Sequence, residues 1–186
     1  MAEFNGIALL ATITLTAVAL ALAFTDLRER RIPNVIVFPA ALAGLIFNAL
    51  RGWQGLWFGC KGLAFGFALL IIPYLFRAMG AGDVKFLAAV GAFVGGVEVL
   101  RVLLLALMAY PPLALVFLIQ QQKLMLTLKR FAKLTSRLFG IFIPQFRMYA
   151  AQLELNDDPT IASARTPFGL SISIGTLLAL YSNLLR

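Results

Sequence analysis

Apolar residues in this chain gather into long uninterrupted runs, separated by short basic or polar stretches. Six runs stand out: about residues 6–25, 35–50, 56–76, from just after Asp83 to near Leu100, 102–119 and 167–185. Crossing the hydrocarbon layer of a membrane takes roughly 20 helical residues at about 1.5 Å each. The pattern therefore predicts an all-α, polytopic integral membrane protein with six transmembrane helices, the second of them short. Lys61 falls near the start of the third run, and Glu98 and Arg101 mark the turn between the fourth and fifth. Pro111 and Pro112 interrupt the fifth and predict a kink there.

Composition sharpens this reading. Of 186 residues, 61% are hydrophobic and only 13% charged. Disorder, a disulfide-stapled scaffold and a soluble globular enzyme are thereby set aside. One Cys (Cys60) leaves no intrachain disulfide and no CxxC motif. The absence of His removes Ser-His and Cys-His nucleophilic catalysis and the HExxH zinc site.

The net charge of +8 points to membrane topology and not to nucleic acid. With the N-terminus outside, the inner loops hold Arg28, Arg30, Arg31, Arg77, Lys85, Lys123, Lys129, Arg130, Lys133, Arg137, Arg147 and Arg165. The outer side keeps only Arg51, Lys61, Arg101 and Arg186. This bias puts both termini on the non-cytoplasmic side. The first five residues carry no Lys or Arg and include Glu3, so the first run is expected to be retained and not removed as a signal peptide. Trp53 and Trp57 read as an outer interfacial belt.

The stretch 120–165 is the longest polar one. Leu124, Leu128, Phe131, Leu134 and Leu138 form a helical apolar stripe opposite a basic face. Such a helix either lies on anionic lipid at the cytoplasmic surface or packs on the bundle. No internal repeat is evident, and residues 1–186 are expected to form one membrane-embedded domain with this basic cytoplasmic segment. Gly91 with Gly95, and Gly62 with Gly66, are small-residue pairs that let helices approach closely.

Acidic residues number only eight, and two of them occupy special positions. Asp26 ends the first run and Asp83 precedes the fourth, so the topology derived from basic residues alone places both carboxyls at one depth on one face. Two carboxyls in a poorly solvated cleft can share one proton, leaving a base to activate water and an acid to protonate a leaving amine. Singly, each residue also has a plain structural reading. Asp83 suits a helix N-terminus, and Asp26 suits an ion pair with Arg30 one turn later.

The neighbouring residues weigh on the other side. Gly80-Ala81-Gly82-Asp83 is a Gly-x-Gly-Asp motif whose two glycines permit close backbone approach. It resembles that of the Gly-x-Gly-Asp intramembrane aspartyl proteases. Asp26-Leu-Arg-Glu-Arg-Arg-Ile-Pro-Asn34 is similar to the Asp-x6-Pro-Asn/Asp segment of the prepilin peptidases, and its Ile-Pro-Asn ending is like the short members serving tight-adherence (Flp-type) pili. Thr166-Pro167-Phe168-Gly169 resembles the Pro-Phe-Gly that opens the final helix in that family. The three motifs occur in family order and cover most of the chain, the 120–165 stretch excepted. The presenilin and signal-peptide-peptidase branch fits less well, because Thr25-Asp26 replaces its Tyr-Asp and no Pro-Ala-Leu occurs.

The resemblance implies a membrane aspartyl endopeptidase of the bacterial inner membrane. It would remove the short basic leader of prepilins or pseudopilins at the cytoplasmic face, alongside pilus-assembly machinery and membrane lipid. Asp26 and Asp83 are the implied catalytic pair, with no metal and no organic cofactor. Gly80, Gly82, Pro33, Asn34, Pro167, Phe168 and Gly169 are implied to shape the cleft. Lys85 either steers a substrate carboxylate or anchors the chain at the cytoplasmic face. Asn34 is expected to cap the second helix. Long prepilin peptidases carry a CxxC-bearing zinc domain and methylate the new pilin terminus, so no such domain and no methyl transfer is expected here. The competing readings are a small proton- or ion-coupled transporter using the same carboxylates and an inactive pilus-assembly scaffold. Oligomeric state is left open.

Overall fold

Backbone breaks, more than hydropathy, decide where the helices of this protein stop. The computed structural model describes residues 2–76, 79–120 and 168–184, with side chains from residue 6 and to residue 182. Six helices are described: α1 (Ala2–Glu29), α2 (Asn34–Ala49), α3 (Trp53–Leu75), α4 (Ala81–Val94), α5 (Gly96–Gln120) and α6 (Phe168–Leu184). The fold is all-helical among the described residues, as the hydropathy pattern predicts. The chain divides into two compact units, Met1–Pro111 with Pro167–Arg186, and Pro112–Thr166. Of the second unit only the end of α5 is described, and the basic, striped stretch at 120–165 lies almost wholly outside the described residues, as do Pro167 and Arg77.

α1 stops where Arg30 takes a left-handed φ of 51°, closing the last turn by donating its N–H to the Asp26 carbonyl at 3.0 Å. Asp26 is thereby held in the final turn. The chain then passes through Ile32 to Pro33, whose carbonyl accepts from Ile36 and Val37 and starts α2. Gly52 (φ 91°) separates α2 from α3. Gly95 (φ 84°) separates α4 from α5, and the Phe58 ring of α3 occupies the space a Cβ there would need.

Gly95 accounts for a difference from the hydropathy reading. The apolar run after Asp83 continues to Leu100, but a residue with this φ ends a helix, so α4 has only 14 residues and Glu98 and Arg101 belong to α5. At 1.5 Å per residue α4 is about 21 Å long, short of the ~30 Å hydrocarbon layer. Three of the six helices are long and apolar enough to cross a membrane: Gly6–Glu29, Trp53–Leu75 and Gly96–Gln120. α2 and α6 are shorter apolar helices. α5 remains helical through Pro111 and Pro112.

α4 lies at the centre of the first unit. From Val84 to Ala92 every residue but Lys85 is buried, as expected for a helix apolar on all sides. The small-residue pairs do what the sequence predicts. A Cβ on Gly62 would meet the Gly91 carbonyl, one on Gly91 would meet the Gly62 carbonyl, and one on Gly66 would lie 2.6 Å from the Leu87 carbonyl. α3 and α4 thus touch backbone to backbone. The outward faces of α1, α2 and α3 carry Leu9, Leu20, Phe24, Leu42, Ile46 and Phe67, all exposed, the surface of a protein solvated by lipid. Trp53 and Trp57 are also exposed and meet edge to face at 5.9 Å.

Candidate active site

The antiparallel order of the helices sorts their ends into two groups. Lys85, in the first turns of α4, donates to Asn34 at the start of α2. Leu170, in the first turn of α6, donates to Asp26 in the last turn of α1. The end of α1 and the starts of α2, α4 and α6 therefore lie together, and this end carries both Asp26 and Asp83.

Asp26 is 5% exposed. Its Oδ2 accepts the backbone N–H of Leu170 at 2.9 Å, a charge-assisted bond that fixes the carboxyl against α6. Among the described residues it forms no ion pair with Arg30, which is exposed. The left-handed backbone at 30 turns the chain away while the carboxyl stays inside. Gly169 explains how α6 comes so close. A Cβ there would lie 2.8 Å from Asp26 Oδ2 and 2.7 Å from Ile32 Cδ1, so only glycine leaves the carboxyl in place.

Asp83 is half-buried at the third position of α4. Its Oδ2 accepts the Gly80 N–H at 3.1 Å, one half of a capping box. The plain structural reading is thus satisfied, and it leaves the other carboxylate oxygen for chemistry. Asp26 and Asp83 lie at the same end of the bundle, and two like charges in a site of low dielectric repel strongly unless a proton is shared. Gly82, one residue earlier, faces Ile32, and a Cβ there would lie 2.8 Å from the Ile32 Cβ.

The other residues singled out in the sequence distribute as follows. Phe168 is buried and stacks edge to face on Tyr110 at 5.3 Å, seating the first turn of α6 against α5. Pro33, not Asn34, is the N-cap of α2, with no side-chain capping bond. Asn34 is the first helical residue, and its Oδ1 instead accepts from Lys85 Nζ at 3.1 Å. Lys85 also sits 5.2 Å from the centre of the Phe38 ring, and among the described residues it makes no ion pair with either aspartate. Sequence reasoning missed Leu170, whose backbone donor has no side-chain signature, and Ile32, an apolar residue inside a motif read for its polar ends.

Two buried or half-buried carboxyls, each held by a backbone donor, thus lie at one end of an apolar helical bundle of a membrane protein. The chain belongs to the type IV leader peptidase family, whose model matches residues 13–119 and so spans both aspartates. A prepilin leader peptidase/N-methyltransferase of Aeromonas hydrophila is 38% identical over 104 residues, covering 52% of this chain and 36% of that protein. Proteins with the same description from Dickeya chrysanthemi (35% over 97 residues, 48% and 34% covered) and Klebsiella pneumoniae (33% over 108 residues, 54% and 47% covered) are also similar. The chain thus spans about a third to a half of the length of the curated relatives it matches. No solved structure matches.

Proposed function

We propose that this protein is an aspartyl endopeptidase that removes the basic leader of type IV-like prepilins or pseudopilins, with Flp-type precursors as its substrates. The observation that carries this reading is that Asp26 and Asp83, distant in sequence, lie at one end of the bundle, where each carboxyl accepts a backbone N–H. Family membership supplies the substrate class, and the Ile-Pro-Asn ending of the first motif supports the Flp-type assignment. The peptidase step alone is assigned to these residues.

In the proposed reaction one aspartate is ionised and the other protonated. The carboxylate takes a proton from water as the water oxygen attacks the scissile carbonyl carbon. The tetrahedral intermediate collapses when the carboxylic acid donates its proton to the amide nitrogen, breaking the C–N bond. The products are a carboxylate-ended leader and an amine-ended pilin. Gly82 and Gly169 let the starts of α4 and α6 close on Ile32 and, at Gly169, on the Asp26 carboxyl. Since one carboxyl must be ionised and one protonated, the rate falls on both sides of a pH optimum.

We place the site on the cytoplasmic side of the inner membrane, with both termini on the opposite side. Arg28, Arg30 and Arg31 are all exposed beside Asp26, and basic residues of this kind favour the cytoplasmic face.

Co-expression with candidate precursors tests the reading. The wild type is expected to convert a precursor to its shorter form. Asp26→Asn and Asp83→Asn should each lower kcat/KM by about 10³-fold while keeping their thermal stability in detergent. Cleavage by either variant at the wild-type rate would falsify the assignment of the aspartates, and no cleavage by the wild type would leave the transporter and scaffold readings standing.

A further inference from the structure

The end of the bundle away from the aspartates holds a polar atom that the fold leaves without a partner. Asn48, in the last turn of α2, is 3% exposed. Its Nδ2 donates to the carbonyls of Gly44 at 3.2 Å, Ala92 at 2.8 Å and Phe93 at 3.2 Å. Three carbonyls on one side fix which amide atom is the nitrogen, so the oxygen is turned away from them. Among the described residues that Oδ1 accepts no hydrogen bond, and a buried acceptor left so is destabilising. Asn48 borders a partly open cavity of about 160 Å³ where α1, α2, α4 and α6 meet, with room for more than one water. Its walls are mostly apolar, Ala11, Phe47 and Leu180 among them. Thr12, another polar residue in the wall, spends its hydroxyl on the Ala8 carbonyl at 2.9 Å. Arg51 follows Asn48 by three residues and lines the same cavity. It is exposed, and its side chain makes no ion pair or hydrogen bond among the described residues. A buried acceptor and an unpaired cation thus share one apolar recess.

We propose that this recess is a binding site for one molecule of phosphatidylethanolamine. Its ligand must donate to Asn48 Oδ1, present an anion to Arg51 and bring apolar surface to the walls. A phospholipid has the phosphate for Arg51 and the acyl chains for the walls. The outward faces of α1 and α2 are apolar and exposed, at Leu9 and Ile46 for example, so the chains continue from the recess into the surrounding bilayer. The headgroup decides the rest. An ethanolamine ammonium carries N–H donors a short reach from the phosphate, whereas a choline nitrogen carries only methyl groups and has no hydrogen to donate. A bond from a charged donor is roughly twice as strong as one from a neutral donor, which favours ethanolamine over a headgroup offering hydroxyls alone. The zwitterion thus lies with its positive end on Oδ1 and its negative end at Arg51. This site takes no part in cleavage and does not rest on the peptidase reading.

The test offers the full chain in detergent an equimolar mixture of phosphatidylethanolamine, phosphatidylcholine and phosphatidylglycerol with the same acyl chains. Native mass spectrometry counts the lipids retained. Wild type is expected to retain one phosphatidylethanolamine about tenfold in preference to either of the others, the worth of one charge-assisted hydrogen bond. Arg51→Ala, at an exposed position that leaves the Asn48 bonds to α4 intact, should lower retention of that lipid by about tenfold. Ala11→Leu, whose added carbons enter the recess, should abolish the preference. Thr12→Leu fills the same space and keeps the test open if Ala11→Leu fails to accumulate. Equal retention of the three lipids by wild type overturns the proposal, as does phosphatidylglycerol retained ahead of phosphatidylethanolamine. Undiminished retention by Arg51→Ala, or a preference that survives the filling variants, overturns it as well.

Discussion

The two ends of α4 face the same physical problem and meet it with opposite chemistry. A helix leaves backbone N–H groups unpaired at its start and carbonyls unpaired at its end. At the start, the Asp83 carboxyl accepts the Gly80 N–H. At the far end, Asn48 of α2, 3% exposed, donates its amide to the carbonyls of Ala92 at 2.8 Å and Phe93 at 3.2 Å. Both ends are tight, yet they differ in what remains after the backbone is satisfied. The Asn48 end leaves a neutral amide in a packed seam. The Asp83 end leaves a half-buried carboxyl at the same end of the bundle as the Asp26 carboxyl. The far end even has a cavity of about 160 Å³, lined by residues such as Ile7, Thr12, Phe47, Arg51 and Leu180, but neither aspartate borders it. The proposed site follows the pair of titratable groups and not the larger space.

Substitutions at the two ends should separate activity from stability. Among substitutions that keep both carboxyls, the largest effect is expected at the site end, from Gly169→Ala. Its methyl would push on Asp26 Oδ2 and Ile32 together, and a displacement of about 1 Å in a catalytic group costs roughly 10²-fold in rate. Cleavage assays should show that loss with the melting temperature little changed. Unaltered kcat/KM would mean that the Asp26 position is not critical. At the far end Asn48→Ala should do the reverse. One buried and one part-buried carbonyl lose their donor, at about 1–3 kcal/mol of stability, visible as a lower Tm in detergent, while cleavage per folded molecule stays within about twofold. Equal losses of activity at both ends would erase the contrast. The smallest effect is expected from Lys85→Met, which removes the bond to Asn34 and the contact with Phe38, worth together about 1 kcal/mol. A tenfold rise in KM for that variant would show that Lys85 reaches the substrate, as one sequence-level reading of it holds.

Much of this organisation is legible in the sequence. The apolar runs mark the helices, because a chain in lipid must satisfy its backbone internally and a helix does so. The bias in basic residues and the shared depth of Asp26 and Asp83 single out one end of the bundle. The glycine pairs of α3 and α4 announce a close seam. The boundary at Gly95 was not legible, because hydropathy continues across it to Leu100 and only the backbone φ and the Phe58 ring end the helix. Asn34 was misread as a cap because Asn is favoured there in general, whereas here Pro33 supplies the N-cap and Lys85 takes the Asn side chain. Asn48 gave no signal at all, being one polar residue in an apolar run.

By itself the sequence determined the elements and the chemistry available to them: apolar helices, two carboxyls at helix ends, and glycines where backbones must approach. Those are local properties, set by hydropathy period, residue type and the conformational reach of glycine. Tertiary structure alone decided that the Leu170 N–H orients Asp26, that Asn48 closes the end of α4, and that Ile32 fills the gap between Gly82 and Gly169. Each depends on which helix end meets which, and neither a backbone donor nor an aliphatic wall differs in sequence from its many counterparts that meet nothing.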